Sequence, residues 1–336
     1  FELEDWVCYE KEAKEEWKLK EIERRKKRET YKSESISLEK IEEEQERLLI
    51  FIGNVYRTGK LSEEYFERFF STYPLILRHL DAEELVLIEK NAEELGIEIP
   101  DNIIEKKRIL RSLMNIRMPK KMLEEVIKVQ DEYLSTCAKE KGIVKLSDIP
   151  VIKNNLSIWQ GDITRLEVDA IVNAANSQML GCFVPMHTCI DNQIHTFAGV
   201  QLREECYYQM KKLREKYGND YVQATAIPMI TNAYNLPAKK VIHIVGPIVA
   251  DKLTPELEKD LENCYTNILN ICLKNSLKSL AFCCISTGEF HFPNKRAAEI
   301  AVKTVLDWSL KHPNSMERII FNVFKDEDRR YYEELL

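Results

Sequence analysis

No apolar run in this chain approaches the roughly 18 residues that a membrane-spanning helix needs, so a membrane protein is not expected. Positive charge is not in excess: 49 Lys and Arg stand against 56 Asp and Glu, for a net charge of -7. That argues against a protein held to nucleic acid by neutralising phosphates. The nine cysteines are an odd number, and Cys283 and Cys284 are adjacent. Such poor disulfide arithmetic fits a reducing, cytoplasmic setting. No signal peptide is visible, although the chain opens on Phe1 rather than Met. No repeat of fixed period can be aligned. What is present is a hydrophobic content of 44% over 336 residues, enough for real cores and long enough to expect two domains.

Composition shifts along the chain mark that organisation. From Glu2 to about Lys32 the residues are mostly Glu, Lys and Arg without a sustained apolar face. Residues 1–35 therefore read as a charged, solvated helical extension, with a partner-binding arm as the less favoured reading of KEIERRKKRE. From Ser37 the apolar positions fall at helical spacing. Ser62, the Asp81/Glu84 capping-box pair, Asp101 and Pro119 mark further helix starts. Residues 36–145 are expected to form a helical domain. Gly142 and Pro150 break the pattern, and residues 146–336 alternate strands with helices, which predicts an α/β domain with a mostly parallel sheet covered on both faces. LSIWQGDIT, EVDAIVNAAN, KKVIHIVGP, LKSLAFCCIS and RIIFNVFK read as its strands, Thr254 as the start of the helix before the fourth, Asp326 as the cap of the last helix, and Cys206 as a core residue further along the helix that begins at Asp191.

The stretch that organises this second domain is GCFVPMHTCIDNQIHTFAG, residues 181–199. Cys182, His187 and Cys189 stand in the spacing C-x4-H-x-C. Two thiolates and an imidazole suit zinc, and ligands so close in sequence converge at little closure cost. Only three are present locally; a catalytic zinc keeps a fourth position for water or substrate, whereas a structural one is normally closed with four. Asp191 reads as the N-cap of the following helix, which would set the loop at the positive end of a helix dipole.

In open α/β sheets ligands sit off the carboxyl ends of the strands. Four such ends carry chemistry. Gly161, Asp162, Ile163 and Thr164 follow the first strand. Asn173 and Asn176 flank the end of the second. Ser286, Thr287, Gly288, Glu289 and Phe290 follow the fourth, and Asn322, Phe324 and Asp326 lie at the fifth. An Asp with exposed backbone amides can read an adenine amino group, a Gly-bearing loop leading to a helix N-terminus can cradle a diphosphate, and two Asn side chains can hydrogen-bond a ribose. His195 faces either the pocket or the core, His243 reads as packed, and His291 can bond ligand or backbone.

Together these motifs resemble a known family. From about Leu156 onward, GDIT, VNAAN, HIVGP and STGEFHFP stand in the order and approximate spacing of a macrodomain, the ADP-ribose-binding fold. GCFVPMHTCIDNQIH, AYNLP, AFCCISTGEFHFP and FNVFKDED resemble the zinc-dependent class of macrodomain hydrolases, which remove ADP-ribose from modified proteins and carry a helical N-terminal extension. MNIRMPKK and KVQDEYL are similar to that extension. The resemblance implies a three-layer fold with a mostly parallel central sheet, preceded by a helical domain. It implies that Asp162 binds the adenine amino group beside the Ile163 backbone, and that Asn173 and Asn176 lie along the distal ribose. Ser286, Thr287, Gly288, Glu289 and Phe290 would wrap the diphosphate, Phe324 would pack at the adenine end, and Cys182, His187 and Cys189 would hold Zn2+.

The reaction implied is metal-assisted cleavage of the bond to mono-ADP-ribose, with an ADP-ribosylated protein as substrate. Asn176 would position the substrate. Asp191 would orient water or act as base, or else only cap its helix. The competing reading is a non-catalytic ADP-ribose reader whose zinc is structural. The three-ligand loop beside NAAN, which a reader does not need, separates the two.

Overall fold

The computed structural model describes residues 111–336, less 113, 116, 120 and 123. The expected charged extension (1–35) and most of the expected helical domain (36–145) lie outside the described residues. Helix α1 is Glu124–Lys141, and it is followed by a two-residue strand β1 (Val144–Lys145). The elements β2 (Leu156–Gln160), β3 (Leu166–Glu167), β4 (Ala170–Ala174), α2 (Ile190–Ala198), α3 (Val200–Tyr217), β5 (Met229–Asn232), β6 (Lys240–Ile244), α4 (Pro255–Lys274), β7 (Ser279–Phe282), α5 (Asn294–Lys311), β8 (Arg318–Val323) and α6 (Asp326–Leu335) complete the order.

One six-stranded sheet carries the fold, in the order β2-β8-β7-β4-β6-β5. Every pairing in it is parallel except β5 with β6. The sheet is thus mostly parallel, as the alternating pattern predicts. β1 and β3 form a separate parallel pair. Central strand β4 shows why: Ala170, Ile171 and Val172 are all fully buried, so both faces of the strand are covered.

Register proves the two covered faces. Asn173 pairs with His243 on β6, and their side chains meet α2 and α3: Asn173 bonds Asp191, and His243 contacts Cys206. On the other neighbour, Ala170 and Ile171 pair with Leu280 and Ala281. Continuing that register sets Phe282 beside Val172, one residue from Asn173 and so on the opposite face. Phe282 packs there on Tyr265 of α4 and on Phe321, which in turn meets Tyr332 of α6. Helices α4, α5 and α6 pack in sequence on that face, and α1, α2 and α3 belong to the other. The result is three layers. Among the described residues no helix is long and apolar enough to cross a membrane.

Three local expectations are corrected. The α2 N-cap is Cys189, whose Sγ accepts the Asn192 N–H at 3.4 Å; Asp191 falls inside the first turn and is buried. Asp326 is the first residue of α6, not its cap, and accepts from Gln160 Nε2 at 2.7 Å instead. Cys206 does not lie on the same helix as Asp191. Gly199, with φ of 94°, ends α2 and starts α3 at a new angle; a Cβ there would meet Gln201, Gln130 and Asn235 side chains at 2.7–3.0 Å. Only glycine combines that backbone with that crowding.

Candidate functional site

The carboxyl ends of β2, β4, β7 and β8 gather the expected residues along one rim. At the first end, Asp162 caps a short 3-10 helix, Ile163–Arg165. Its Oδ1 accepts from the Thr164 N–H at 3.0 Å and the Thr164 hydroxyl at 2.6 Å. Its Oδ2 accepts from Lys141 Nζ at 2.8 Å. Burial raises the carboxyl, but these hydrogen bonds and the ammonium charge outweigh it and hold Asp162 below the usual carboxylate range. Ile163 is buried, so only its backbone is available to a ligand. Asn322 donates to the Trp159 and Gly161 carbonyls and so fixes the turn that presents Asp162. Phe324, just past β8, is 77% exposed. A large aromatic left open at a strand end is a platform for a flat base.

At the second end, Asn173 is fully buried beneath the rim, not on it. Its Nδ2 donates to Asp191 Oδ1 at 2.7 Å and faces His243 Nδ1 at 3.0 Å. Asn173 therefore acts on the rim through Asp191. Asn176 is only half-buried; its Nδ2 donates to the Gly181 carbonyl at 3.1 Å and Asp191 Oδ2 at 3.3 Å, and its Oδ1 accepts the Gln178 N–H at 3.0 Å. Asp191 is 5% exposed. Burial pushes its carboxyl up to about 7 despite the two amides that favour its charge. His195, one turn on, is buried with its Nε2 3.6 Å from Asp191 Oδ1, and neither ring nitrogen makes a hydrogen bond among the described residues.

Cys182, His187 and Cys189 converge: their ligand atoms lie within 4.8 Å of one another, and Cys182 Sγ is 3.6 Å from His187 Nδ1. Sharing a proton with Cys189 holds the Cys182 thiol down to about 6 and pushes Cys189 up. Thiolate character at neutral pH is what a soft metal requires. A second group, His195, Cys206 and His243, is also compact. Its His243 already faces Asn173 through Nδ1 and the Thr231 hydroxyl through Nε2, at 3.0 Å each, the pattern of a satisfied core histidine.

The fourth-strand loop turns sharply. Ser286 and His291 have φ of 66° and 56°. Ser286 O accepts the Phe292 N–H and Gly288 O accepts the His291 N–H, both at 3.0 Å. Among the described residues these bonds leave the N–H groups of Gly288, Glu289 and Phe290 without backbone carbonyl partners. Successive unpaired amides in a turn form an anion cradle. The loop rests on Gly246 of HIVGP, where any Cβ would collide with Ser286 Oγ. Glu289 Oε1 reaches to 3.8 Å from His187 Nε2, joining this loop to the group of Cys182, His187 and Cys189.

The structure adds residues the sequence reading passed over. Lys141 ends α1 on Asp162, with its ammonium 3.0 Å from the centre of the Phe197 ring. Asn192 Nδ2 donates to the carbonyls of Cys182 and Val184. Arg111 and Asn115, from before α1, bond the loop of residues 181–189. MNIRMPKK, which holds Asn115, gave a signal only through its resemblance to the extension, and Arg111 gave none.

Comparisons with known proteins agree with this geometry. A family model described as the Macro domain matches residues 172–301. A protein-ADP-ribose hydrolase of Treponema medium is 47% identical over 254 residues, covering 74% of this chain and 95% of that protein. One from Staphylococcus aureus strain MRSA252 is 43% identical over 248 residues, covering 73% of this chain and 90% of that protein. Among solved structures, the Trypanosoma brucei macrodomain in complex with ADP-ribose aligns with a TM-score of 0.51 and 25% identity, over 67% of this chain and 94% of that one. With a sheet of this topology and relatives covered almost end to end, the chain belongs to the macrodomain family of the protein-ADP-ribose hydrolases.

Proposed function

We propose that this chain hydrolyses the bond joining mono-ADP-ribose to a modified protein, with zinc held by Cys182, His187 and Cys189. The observation that carries the reading is the 3.8 Å approach of Glu289 to His187. It sets the thiolate and imidazole donors beside the loop suited to a diphosphate, where the distal ribose follows. A site that only binds has no use for such donors there. The names of the similar Treponema and Staphylococcus proteins favour the same reaction.

The donor set fits zinc. A tetrahedral ion with ordinary zinc–sulfur and zinc–nitrogen bonds holds S and N about 3.5 Å apart, and Cys182 Sγ and His187 Nδ1 are 3.6 Å apart. Three protein donors leave a fourth position, the pattern of a catalytic site. Zinc there would supply Lewis acidity toward an oxygen at the distal ribose.

The remaining work falls to the chain's own groups. Asp162 and the Ile163 backbone would hold the adenine against Phe324. The amides of Gly288, Glu289 and Phe290 would take the diphosphate, with Ser286 and Thr287 shaping the turn. Asn176 Oδ1 has a second lone pair beyond its Gln178 bond and would accept a ribose hydroxyl. Asp191 would keep Asn176 in place and orient, or take the proton of, the attacking water. Cleavage at the anomeric carbon, with an oxocarbenium-like transition state, would release the protein side chain.

The test is incubation of a protein ADP-ribosylated on acidic side chains with the full chain, before chelation, after it, and after zinc is restored. Free ADP-ribose should appear, stop on chelation with the fold intact by circular dichroism, and return with zinc. Turnover by the metal-free protein would remove zinc from the chemistry. Tight ADP-ribose binding without any release would leave a reader.

A further inference from the structure

We propose that Arg111 and Asn115, from the segment preceding α1, are positioning residues for the metal-binding loop, so that the macrodomain fold alone does not complete this site. The inference rests on the reading of Cys182, His187 and Cys189 as zinc ligands. Residues 181–189 contain no helix or strand to hold them. Met186, immediately before His187, has φ of 58°, a left-handed conformation that its side chain disfavours. Three ligands on such a loop need an outside frame to meet within a few ångströms.

That frame is a buried polar network reaching across more than seventy residues of sequence. Asn115 Oδ1 accepts the Met186 N–H at 3.0 Å. Arg111 Nη2 donates to the carbonyl of His187 itself at 2.8 Å and to Asn192 Oδ1 at 3.0 Å. Asn192 Nδ2 then donates to the carbonyls of Cys182 at 3.3 Å and Val184 at 2.9 Å. One guanidinium and two amides thus bond the backbone of two ligands and of residues between them. The frame is itself anchored. Asn115 and Asn192 are 1% and 0% exposed. Asn115 Nδ2 donates to Thr196 Oγ1 at 2.8 Å, and its carbonyl accepts Arg203 Nη1 at 2.8 Å. Among the described residues Arg111 Nε makes no bond, while the amides of Asn115 and Asn192 are paired at both ends, and a shift of either amide would strand a buried polar group. Both residues lie outside residues 172–301, the stretch matched by the Macro domain model.

The test uses the full chain and the variants Asn115→Ala, Arg111→Lys and Arg111→Ala. Zinc affinity is read by competition with a chromophoric chelator, and ADP-ribose affinity by calorimetry. Groups that orient metal ligands typically control affinity by about 10–100-fold. Zinc binding should weaken at least tenfold in Asn115→Ala and Arg111→Ala, and less in Arg111→Lys, which keeps charge and one donor. ADP-ribose affinity should stay within about twofold, and kcat should fall with KM little changed. Zinc affinity within about twofold of wild type in all three variants overturns the proposal. So does parallel loss of zinc and ADP-ribose binding, which would mark the segment as a general support. If Asn115→Ala does not fold, the two Arg111 variants decide. Wild-type protein that takes up no zinc is a different result: it overturns the metal reading first, and this proposal with it.

Discussion

Lys141 Nζ lies 2.8 Å from Asp162 Oδ2, so the last residue of a helix outside the sheet fixes the carboxylate that follows β2. The Asp162 pKa is held below its unfolded value, near 3.9. A depressed acid contributes stability that is present above the unfolded pKa and lost as pH falls through the folded one. Lys141→Met should therefore be less stable than wild type at pH 7. Burial lowers the pKa of Lys141 itself, so removing it relieves some cost. That caps the difference at about 1 kcal/mol. Urea unfolding at pH 7, 4 and 3 should show the gap closing with acid. A gap of equal size at all three would sink the assignment.

Asp162→Ala tests the same carboxylate as a ligand. Removing an ionised acceptor from a hydrogen bond costs about 1.5–3 kcal/mol. ADP-ribose affinity measured by calorimetry should fall at least tenfold, with the metal content of the protein unchanged. Unaltered affinity would place the adenine elsewhere on the rim.

Asp191→Asn preserves size at a buried position and removes the carboxylate that holds Asn176 and, through Asn173, the floor of the site. Single-turnover release of ADP-ribose should slow by about a hundredfold or more, the scale of lost acid–base assistance. ADP-ribose should still bind within about fivefold. An equal loss of both would mean that Asp191 only shapes the pocket.

Gly246→Ala probes the seat of the loop that follows β7, since its Cβ would collide with Ser286 Oγ. Overpacking of this kind costs about 1–3 kcal/mol. Thermal unfolding should register that loss, and ADP-ribose affinity should drop as the amides of Gly288, Glu289 and Phe290 move. Wild-type affinity in the variant would show that the loop does not depend on this contact.

Much of this could be read before any coordinates, and the reason is local. Val172, Ile242, Leu280 and Ile320 sit in short apolar runs that only a doubly covered strand explains. Thr254 announced its helix and does cap it, accepting the Leu257 N–H. Cys182, His187 and Cys189 are close in sequence, so their spacing alone brought them together. β5 was harder to see: its segment, YVQATAIPMIT, fits strand or loop equally, and Pro228 interrupts it. The α2 cap went to Asp191 by residue preference, where a weaker acceptor, Cys189, holds the position. Arg111, Asn115 and Lys141 were out of reach because their partners are distant in the chain. A hydrogen bond between residues 76 positions apart leaves no periodic trace.

The left-handed backbone at Gly199 has a consequence for the whole rim. Without that corner, α2 and α3 would be a single rod on the order of 40 Å long, and tilting it anywhere would swing the ligand-bearing loop at its head. Because the corner uncouples the two, the outer half can settle against β5 and β6 by its own contacts. The inner half is then set separately, by the bonds of Asn192 and Thr196 beside Cys182, His187 and Cys189.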